Sequence, residues 1–469
     1  MRLCVSLFAF MLGGTSLNDY QEYLKKLNEK IIYLCLIALV VLIPSSHYAI
    51  LALQNYPNLI INCIYVITLI MSGSFLITRV QGGLSFNNKK YQIIIGILML
   101  FGLLSTFMSI DRNLSIFGVS GRFEGILTLL SYYLIFLCSS AISEHGRKKR
   151  LIQIFLSINV LHSIYGLCQY FNLFQGIVIN KYGASISGVA GNPNFMGSLL
   201  VLSIGLSAGL FYCSKTIKDT LIYLCATIIF FITMLLTNTM SALLGIGAIA
   251  ILFLLIMIKT FKYYKENRVE KINSFSLLIA AIILGSVLLI GVNVATQGKL
   301  LDKLFVSIQD FAGIISGVGI TEETATGRFV VWGNALKLVP QYWLFGSGPD
   351  TFMYAYHESF GTTLGQYFDK AHNEYIQVLI TQGIPVLLMM IILYGNIVID
   401  GLKKIFKMVK TKIDIEFDGL YLGLIVAVFG YMVQAIFNIS VIDVAPYFWM
   451  CLGLIAGWIN NDPKEVKLF

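Results

Sequence analysis

Twelve apolar runs, most of them long enough to cross a bilayer as a helix, recur along the chain with polar breaks between them. They occupy residues 31–44, 58–78, 92–109, 125–143, 151–170, 195–213, 220–236, 241–258, 275–295, 375–399, 420–442 and 444–459. A hydrocarbon core of roughly 30 Å is spanned by about 17 to 25 apolar residues in helical form. The runs are continuous rather than alternating, which argues against a closed barrel. Composition agrees, with 57% hydrophobic and 12% charged residues where soluble proteins carry roughly 25% charged. The expected fold is an all-α polytopic membrane protein of about 12 transmembrane helices.

The breaks carry a sign pattern. With the N-terminus inside, 25 of the 33 Lys and Arg residues fall on the inner side and eight on the outer, which sets both termini in the cytoplasm. The formal charge of +9 is therefore a topology signal. A nucleic-acid partner is not expected, because the basic residues are dealt out over successive inner loops instead of gathering on one face. The eight cysteines sit nearly all inside apolar spans and read as packing residues, with no disulfide frame and no metal site. Residues 1–14 read as an interfacial leader or the trace of an upstream start, with a cleaved signal peptide as the alternative.

This arrangement divides the chain into a cytoplasmic leader (1–30), spans one to nine (31–295), an extracytoplasmic helical loop (296–374), spans ten to twelve (375–459) and a cytoplasmic tail (460–469). The loop is too long for an ordinary connector, and loops of that size usually fold or work. Apolar spacing at Leu301, Leu304, Phe305 and Ile308 predicts an amphipathic helix on the bilayer. A second helix is expected from Thr326-Gly327-Arg328, with Val331, Ala335 and Leu338 on one stripe, ending at Pro340. Phe345-Gly-Ser-Gly-Pro349-Asp350 reads as a turn with exposed backbone amides, able to receive an anion. Asp369-Lys-Ala-His-Asn373 then leads into the tenth span, setting His372 at the water boundary, where an imidazole exchanges protons near neutral pH.

Two other outer loops hold candidates. Arg122 and Glu124, just before the fourth span, read either as interfacial anchors or as ligands of a headgroup phosphate. Asn192, Pro193 and Asn194 open the sixth span; Asn192 is placed to cap it, and the same turn would hold two amides at the membrane surface. Lys181 is the only cation of that loop. No span carries an interior Asp, Glu, Lys or Arg, which disfavours an ion-coupled transporter, since such a device needs charged groups near the midplane. A polysaccharide or lipid transporter remains the competing class. His162, alone in mid-span, reads as an interhelical packing residue.

The order Arg122-Phe-Glu-Gly125, Gly191-Asn-Pro-Asn194, Gly327-Arg328 with Trp332 and Pro340, Phe345-Gly-Ser-Gly-Pro349, Asp369-Lys-Ala-His-Asn373 and Gln382-Gly383 resembles the O-antigen ligase and O-antigen polymerase superfamily. The resemblance spans residues 122–458, and its most specific element is Ala371-His372-Asn373 before an apolar helix. It implies a GT-C-like membrane glycosyltransferase of the bacterial cell membrane. Such an enzyme moves a glycan from undecaprenyl diphosphate to an acceptor hydroxyl on a glycan, lipid or protein, with inversion, and without cofactor or metal. Arg328 would neutralise the diphosphate leaving group and His372 would act as base on the acceptor or contact the diphosphate; Arg122, Glu124, Lys181, Asn192, Asn194, Trp332, Asp369 and Asn373 would line the substrate site. An arginine expected from the resemblance between spans seven and eight is replaced here by Met240, in Thr239-Met240-Ser241, and Arg122 or Lys181 is the candidate substitute.

Overall fold

In hydrocarbon an unpaired peptide group costs several kcal/mol, so a lipid-exposed segment must close its hydrogen bonds within itself, and helices do so. The computed structural model describes residues 17–52, 59–80, 89–266, 327–410 and 419–460, apart from positions 175–177, 179, 184, 215, 364 and 366, with isolated residues between 290 and 305. Its helices are α1 (Leu17–Ala52), α2 (Leu59–Val80), α3 (Lys89–Phe107), α4 (Arg112–Phe117), α5 (Ile126–Ser140), α6 (His145–Tyr170), α7 (Pro193–Tyr212), α8 (Ile217–Thr237), α9 (Met240–Glu266), α10 (Arg328–Lys337), α11 (Val339–Tyr342), α12 (Phe352–Phe360), α13 (Glu374–Lys410), α14 (Gly419–Gln434) and α15 (Ala445–Asn460). Among the described residues nine helices are long and apolar enough to span a membrane, and two shorter apolar ones, α5 and α15, lie inside the bundle. The expected ninth span, 275–295, lies outside the described residues but for Ile290, Asn293 and Val294, and so does most of the expected amphipathic helix at 300–311.

Two boundaries differ from expectation. The first helix does not begin at residue 31 or stop at Pro44; it runs unbroken from Leu17 to Ala52 with Pro44 inside it. Pro340 does not end a helix either, but occupies the first turn of α11, where its missing N–H has no intrahelical partner to lose.

The bundle's tightest seam is α7 against antiparallel α14. Gly205 faces Ala427, and Gly209 faces Gly423 and Gly419, so closely that a Cβ on either glycine of α7 would run into the opposite backbone. Small residues four apart let two helices approach where apolar side chains alone give no preference over lipid. Beside this seam, α5 and α15 pair through Gly453 and Gly457 against the Phe136 and Ser140 carbonyls, with Trp449 edge-on to Tyr133 at 5.1 Å.

One broken helix sets the position of the long outer segment. Within α13, Gly383 has φ +85° and Pro385 follows. Pro385 has no N–H to give Thr381, and the Gly383 twist turns the Ile384 N–H away from Ile380, so two carbonyls are released. The loop after α11 takes up both: Ser347 N–H donates to Ile380 O and Gly348 N–H to Thr381 O, each at 2.9 Å, while Ile384 N–H donates to Trp343 O at 2.7 Å. Ser105 Oγ adds a second bond to Thr381 O at 3.0 Å. Gly346 N–H is bound to Tyr342 O at 2.9 Å. The Phe345-Gly-Ser-Gly-Pro349 turn is thus a splint for the break in α13, and its amides are spent there. The expectation that they receive an anion is corrected. The positive φ values of Gly346 and Gly348 serve this close approach, since a Cβ on either would overlap Thr381 and Gln382 or Ser109 and Ser115.

Candidate active site

The height of each group along the bundle follows from two cross-links. Ser105 meets Thr381 at one end of α3, and at the other end Lys90 and Tyr91 both reach Asp400 Oδ2 at 3.0 Å. The nineteen residues of α13 between those levels rise about 28 Å at about 1.5 Å each, close to a hydrocarbon thickness of roughly 30 Å. On the far side of the Gly383 break from Asp400, α13 begins at Glu374, and the turn carrying His372 immediately precedes it.

That turn is clamped from three sides. Ala371 N–H donates to Gln377 Oε1 at 2.9 Å, and Ala371 O accepts from the Trp332 indole Nε1 at 2.8 Å. Asn373 Oδ1 accepts from Tyr375 and Ile376 N–H at 3.0 and 3.1 Å, capping α13 and satisfying two of the amides that a helix start leaves open. Between these ties His372 is held at φ +50°, a left-handed conformation that costs a non-glycine residue about 1–2 kcal/mol and persists only where surroundings enforce it.

Helix α10 brings Arg328 to the same place. Trp332 stands one helical turn after Arg328, so the indole bond to Ala371 fixes α10 on the His372 turn; its ring also packs on Phe329 at 5.0 Å and Phe437 at 5.4 Å. Arg328 Nη1 donates to Phe437 O at 3.1 Å, at the end of the 3-10 turn Ala435–Phe437 that follows α14. No carboxylate pairs with Arg328 among the described residues. Burial lowers the pKa of Arg328, yet a guanidinium stays charged at any working pH. His372 feels it: burial first, then the Arg328 charge, with Arg122 and Lys370 adding and Asp369 opposing, depress the imidazole to about 4. At neutral pH His372 is therefore uncharged and able to accept a proton.

The other cations are committed. Arg122 Nε and Nη2 both donate to Asp369 Oδ2, at 3.0 and 2.6 Å, and its guanidinium lies over the Phe195 ring at 5.7 Å. Burial would raise the Asp369 pKa, but the charge and hydrogen bonds of Arg122 outweigh it and hold the carboxyl below its ordinary range. Lys370, a residue the motif reading passed over, is buried and ion-paired to the equally buried Asp350. Asp350 Oδ2 also accepts from Val119 N–H at 2.6 Å and Glu124 N–H at 3.2 Å. One carboxylate thus ties the loop before α5 to the His372 turn. Glu124 Oε1 accepts from Tyr132 Oη at 2.9 Å; burial chiefly, with Asp350 adding and Lys370 opposing, drives its pKa well upward. Glu374 Oε2 is fixed by Ser440 N–H at 2.7 Å.

Of the residues singled out in the sequence, Arg328, Trp332, Asp369, His372, Asn373, Arg122 and Glu124 come together in one cluster. Asn192 caps α7, its Oδ1 accepting Asn194 N–H at 2.8 Å, and Asn194 is joined to the end of α14 through Asn438 Nδ2 on its carbonyl at 3.1 Å. Lys181 is exposed and among the described residues no contact links it to the cluster, while Arg122 is held by Asp369. Asp350 and Lys370 escaped notice because each pairs with a residue distant in sequence. The φ of +63° at Asp350 belongs to the backbone and has no trace in residue type.

Residues 225–391 match the model of the O-antigen ligase family, Wzy_C. The matched stretch contains Arg328, Trp332, Asp369, His372 and Asn373, while Arg122, Glu124, Lys181, Asn192 and Asn194 precede it. No curated protein matches the chain. Residues 225–391 are thus similar to the O-antigen ligase family, and the nine membrane-length helices among the described residues make this a multi-pass membrane protein.

Proposed function

We propose that the chain transfers a glycan from an undecaprenyl-diphosphate-linked donor to an acceptor hydroxyl on the outer face of a bacterial cell membrane, with both termini in the cytoplasm. One observation carries this reading: of the cations beside His372, Arg122 and Lys370 are neutralised by Asp369 and Asp350, and Arg328 alone has no carboxylate partner among the described residues. A half-buried guanidinium with no carboxylate partner among the described residues, beside a neutral imidazole, is a place for a phosphate-bearing lipid.

The chemistry follows from the two groups. The acceptor hydroxyl gives its proton to the His372 imidazole as its oxygen bonds to the anomeric carbon. The bond from that carbon to the diphosphate oxygen breaks from the opposite side, inverting the centre, and the electron pair leaves with the diphosphate. Arg328 meets the charge that develops on that oxygen. A bound diphosphate also offsets the field of Arg328 at His372 and so raises the imidazole from about 4 toward the range where a base works best. No cofactor or metal enters the scheme. The acceptor is a glycan, a lipid or a protein, and a polymerase differs from a ligase only in that choice.

The test is the lipid-linked pool in cells carrying Arg328→Ala or His372→Ala. Both variants should remain in the membrane at wild-type level, stop transfer and accumulate lipid-linked glycan facing outward. Accumulation facing inward would instead identify a transporter, and unchanged surface glycan in both variants would remove Arg328 and His372 from the mechanism.

A further inference from the structure

Directly behind the Arg328 anchor lies a set of polar groups that the scheme above does not use. Phe437, whose carbonyl holds Arg328, is followed by Asn438, buried, with Nδ2 donating to Ser198 Oγ at 2.8 Å and to Asn194 O at 3.1 Å. Ser198 Oγ donates to Gln434 Oε1 at 3.0 Å. The break between α8 and α9 closes the group: Thr239 abuts Gly197 of α7, and Gly245, one turn past Ser241, abuts the Gln434 Cβ. Buried Gln434 Nε2, Ser241 Oγ and Asn238 Oδ1 have no hydrogen-bond partner, and Gln434 and Ser241 are 1% and 0% exposed. Turning the Gln434 amide over exchanges which of its ends is unpaired and leaves one unpaired in either case. An orphaned buried polar group costs free energy unless something fills the place, and three of the nine such atoms among the described residues belong to the α8–α9 break and the end of α14.

The unmet groups include an amide donor, an amide acceptor and a hydroxyl that does both, with no charged side chain among them. That complement suits a ligand whose own groups donate and accept at once and carry no charge, which describes sugar hydroxyls and not phosphate. The height agrees. Tyr375 Oη donates to Met432 O at 2.7 Å, so the end of α14 stands level with the first turn of α13. The half-buried Asn194, Asn238 and Met240 form its less enclosed side.

We infer that Gln434, Ser241 and Asn238 form a neutral subsite for the hydroxyls of the sugar next to the diphosphate of the donor, which makes them specificity-determining residues. The inference rests on the donor reading given above. Its experiment measures binding to the full-length protein in nanodiscs of two probes: undecaprenyl diphosphate, and the lipid-linked saccharide extracted from cells lacking this protein. Wild type should favour the saccharide-bearing lipid. Gln434→Leu should weaken that probe roughly tenfold, as expected for one or two neutral hydrogen bonds, and leave undecaprenyl diphosphate unchanged. Its melting temperature should change little, because an apolar group of similar size fills the place and Ser198 Oγ, which loses Gln434 Oε1, keeps Asn194 O as an acceptor at 2.9 Å. Ser241→Ala, which removes one oxygen and little packing, should show the same selective loss and serves if the leucine variant folds poorly. An unchanged ratio of affinities in both variants overturns the subsite and leaves only helix packing or trapped water. Arg328→Ala is the separate control: if it leaves both probes bound as in wild type, the diphosphate role fails while the subsite is judged on its own ratio.

Discussion

Asp350 is the residue whose replacement the structure makes easiest to quantify. Its carboxylate receives two backbone amides, from Val119 and Glu124, and the Lys370 ammonium. Asparagine keeps the shape and tolerates the left-handed backbone at this position, so Asp350→Asn removes charge and little else. Hydrogen bonds to a charged acceptor contribute about 1.5–3 kcal/mol and neutral ones about 0.5–1.5, so each amide bond weakens by about 1 kcal/mol and the pair by about 2. Opening of the 119–124 loop then becomes about thirtyfold more frequent, and hydrogen–deuterium exchange of a peptide covering it should accelerate by that factor. Lys370 meanwhile loses its counter-ion with its side chain 5% exposed, a change of about 3 kcal/mol at the low end for a broken buried pair. Adding Lys370→Met should recover most of the global loss while the loop stays fast. Wild-type exchange over residues 119–124 in the single variant would refute the reasoning, because it would mean that the loop is held by something other than this carboxylate.

Trp332→Phe keeps the ring stack on Phe437 but deletes the bond to Ala371 O; one neutral hydrogen bond of about 1 kcal/mol predicts a roughly fivefold fall in transfer with membrane levels unchanged. Gly383→Ala places a Cβ against the Leu344 carbonyl at φ +85°, so the protein should fail to accumulate as a monodisperse species, whereas Gly395→Ala in the same helix meets nothing within 4 Å and should behave as wild type. With the free His372 imidazole at about 4, the base is competent above that value: kcat/KM should stay level from neutral pH down and drop only as pH falls through about 4. The corresponding limb of kcat should lie higher, because the bound diphosphate raises the imidazole. Coincident limbs near the ordinary histidine value would show that burial and Arg328 do not act on it as described.

The helical framework was legible because an apolar run of span length has few alternatives, and eleven of the twelve expected runs fall on described helices. The motif at Asp369–Asn373 was legible too, as was the capping role of Asn192, since a cap is written in consecutive residues. What sequence could not give was who holds whom. Arg122 reads from sequence either as an interfacial anchor or as a headgroup ligand, and nothing local announces Asp369, 247 positions away, as its partner. The glycines of Phe345-Gly-Ser-Gly-Pro349 looked like an open anion cradle because nothing local says that Pro385 leaves a carbonyl unserved nearby.

Arg328 takes its aim from a helix that lies outside the matched stretch. Arg328 is steadied by the Phe437 carbonyl, and Phe437 follows α14, whose backbone is pressed into α7 glycine against glycine. Grafting residues 225–391 onto another member's scaffold would transplant the guanidinium and leave its rest behind, so chimaeras should work only when the recipient's own penultimate helix ends at a matching carbonyl.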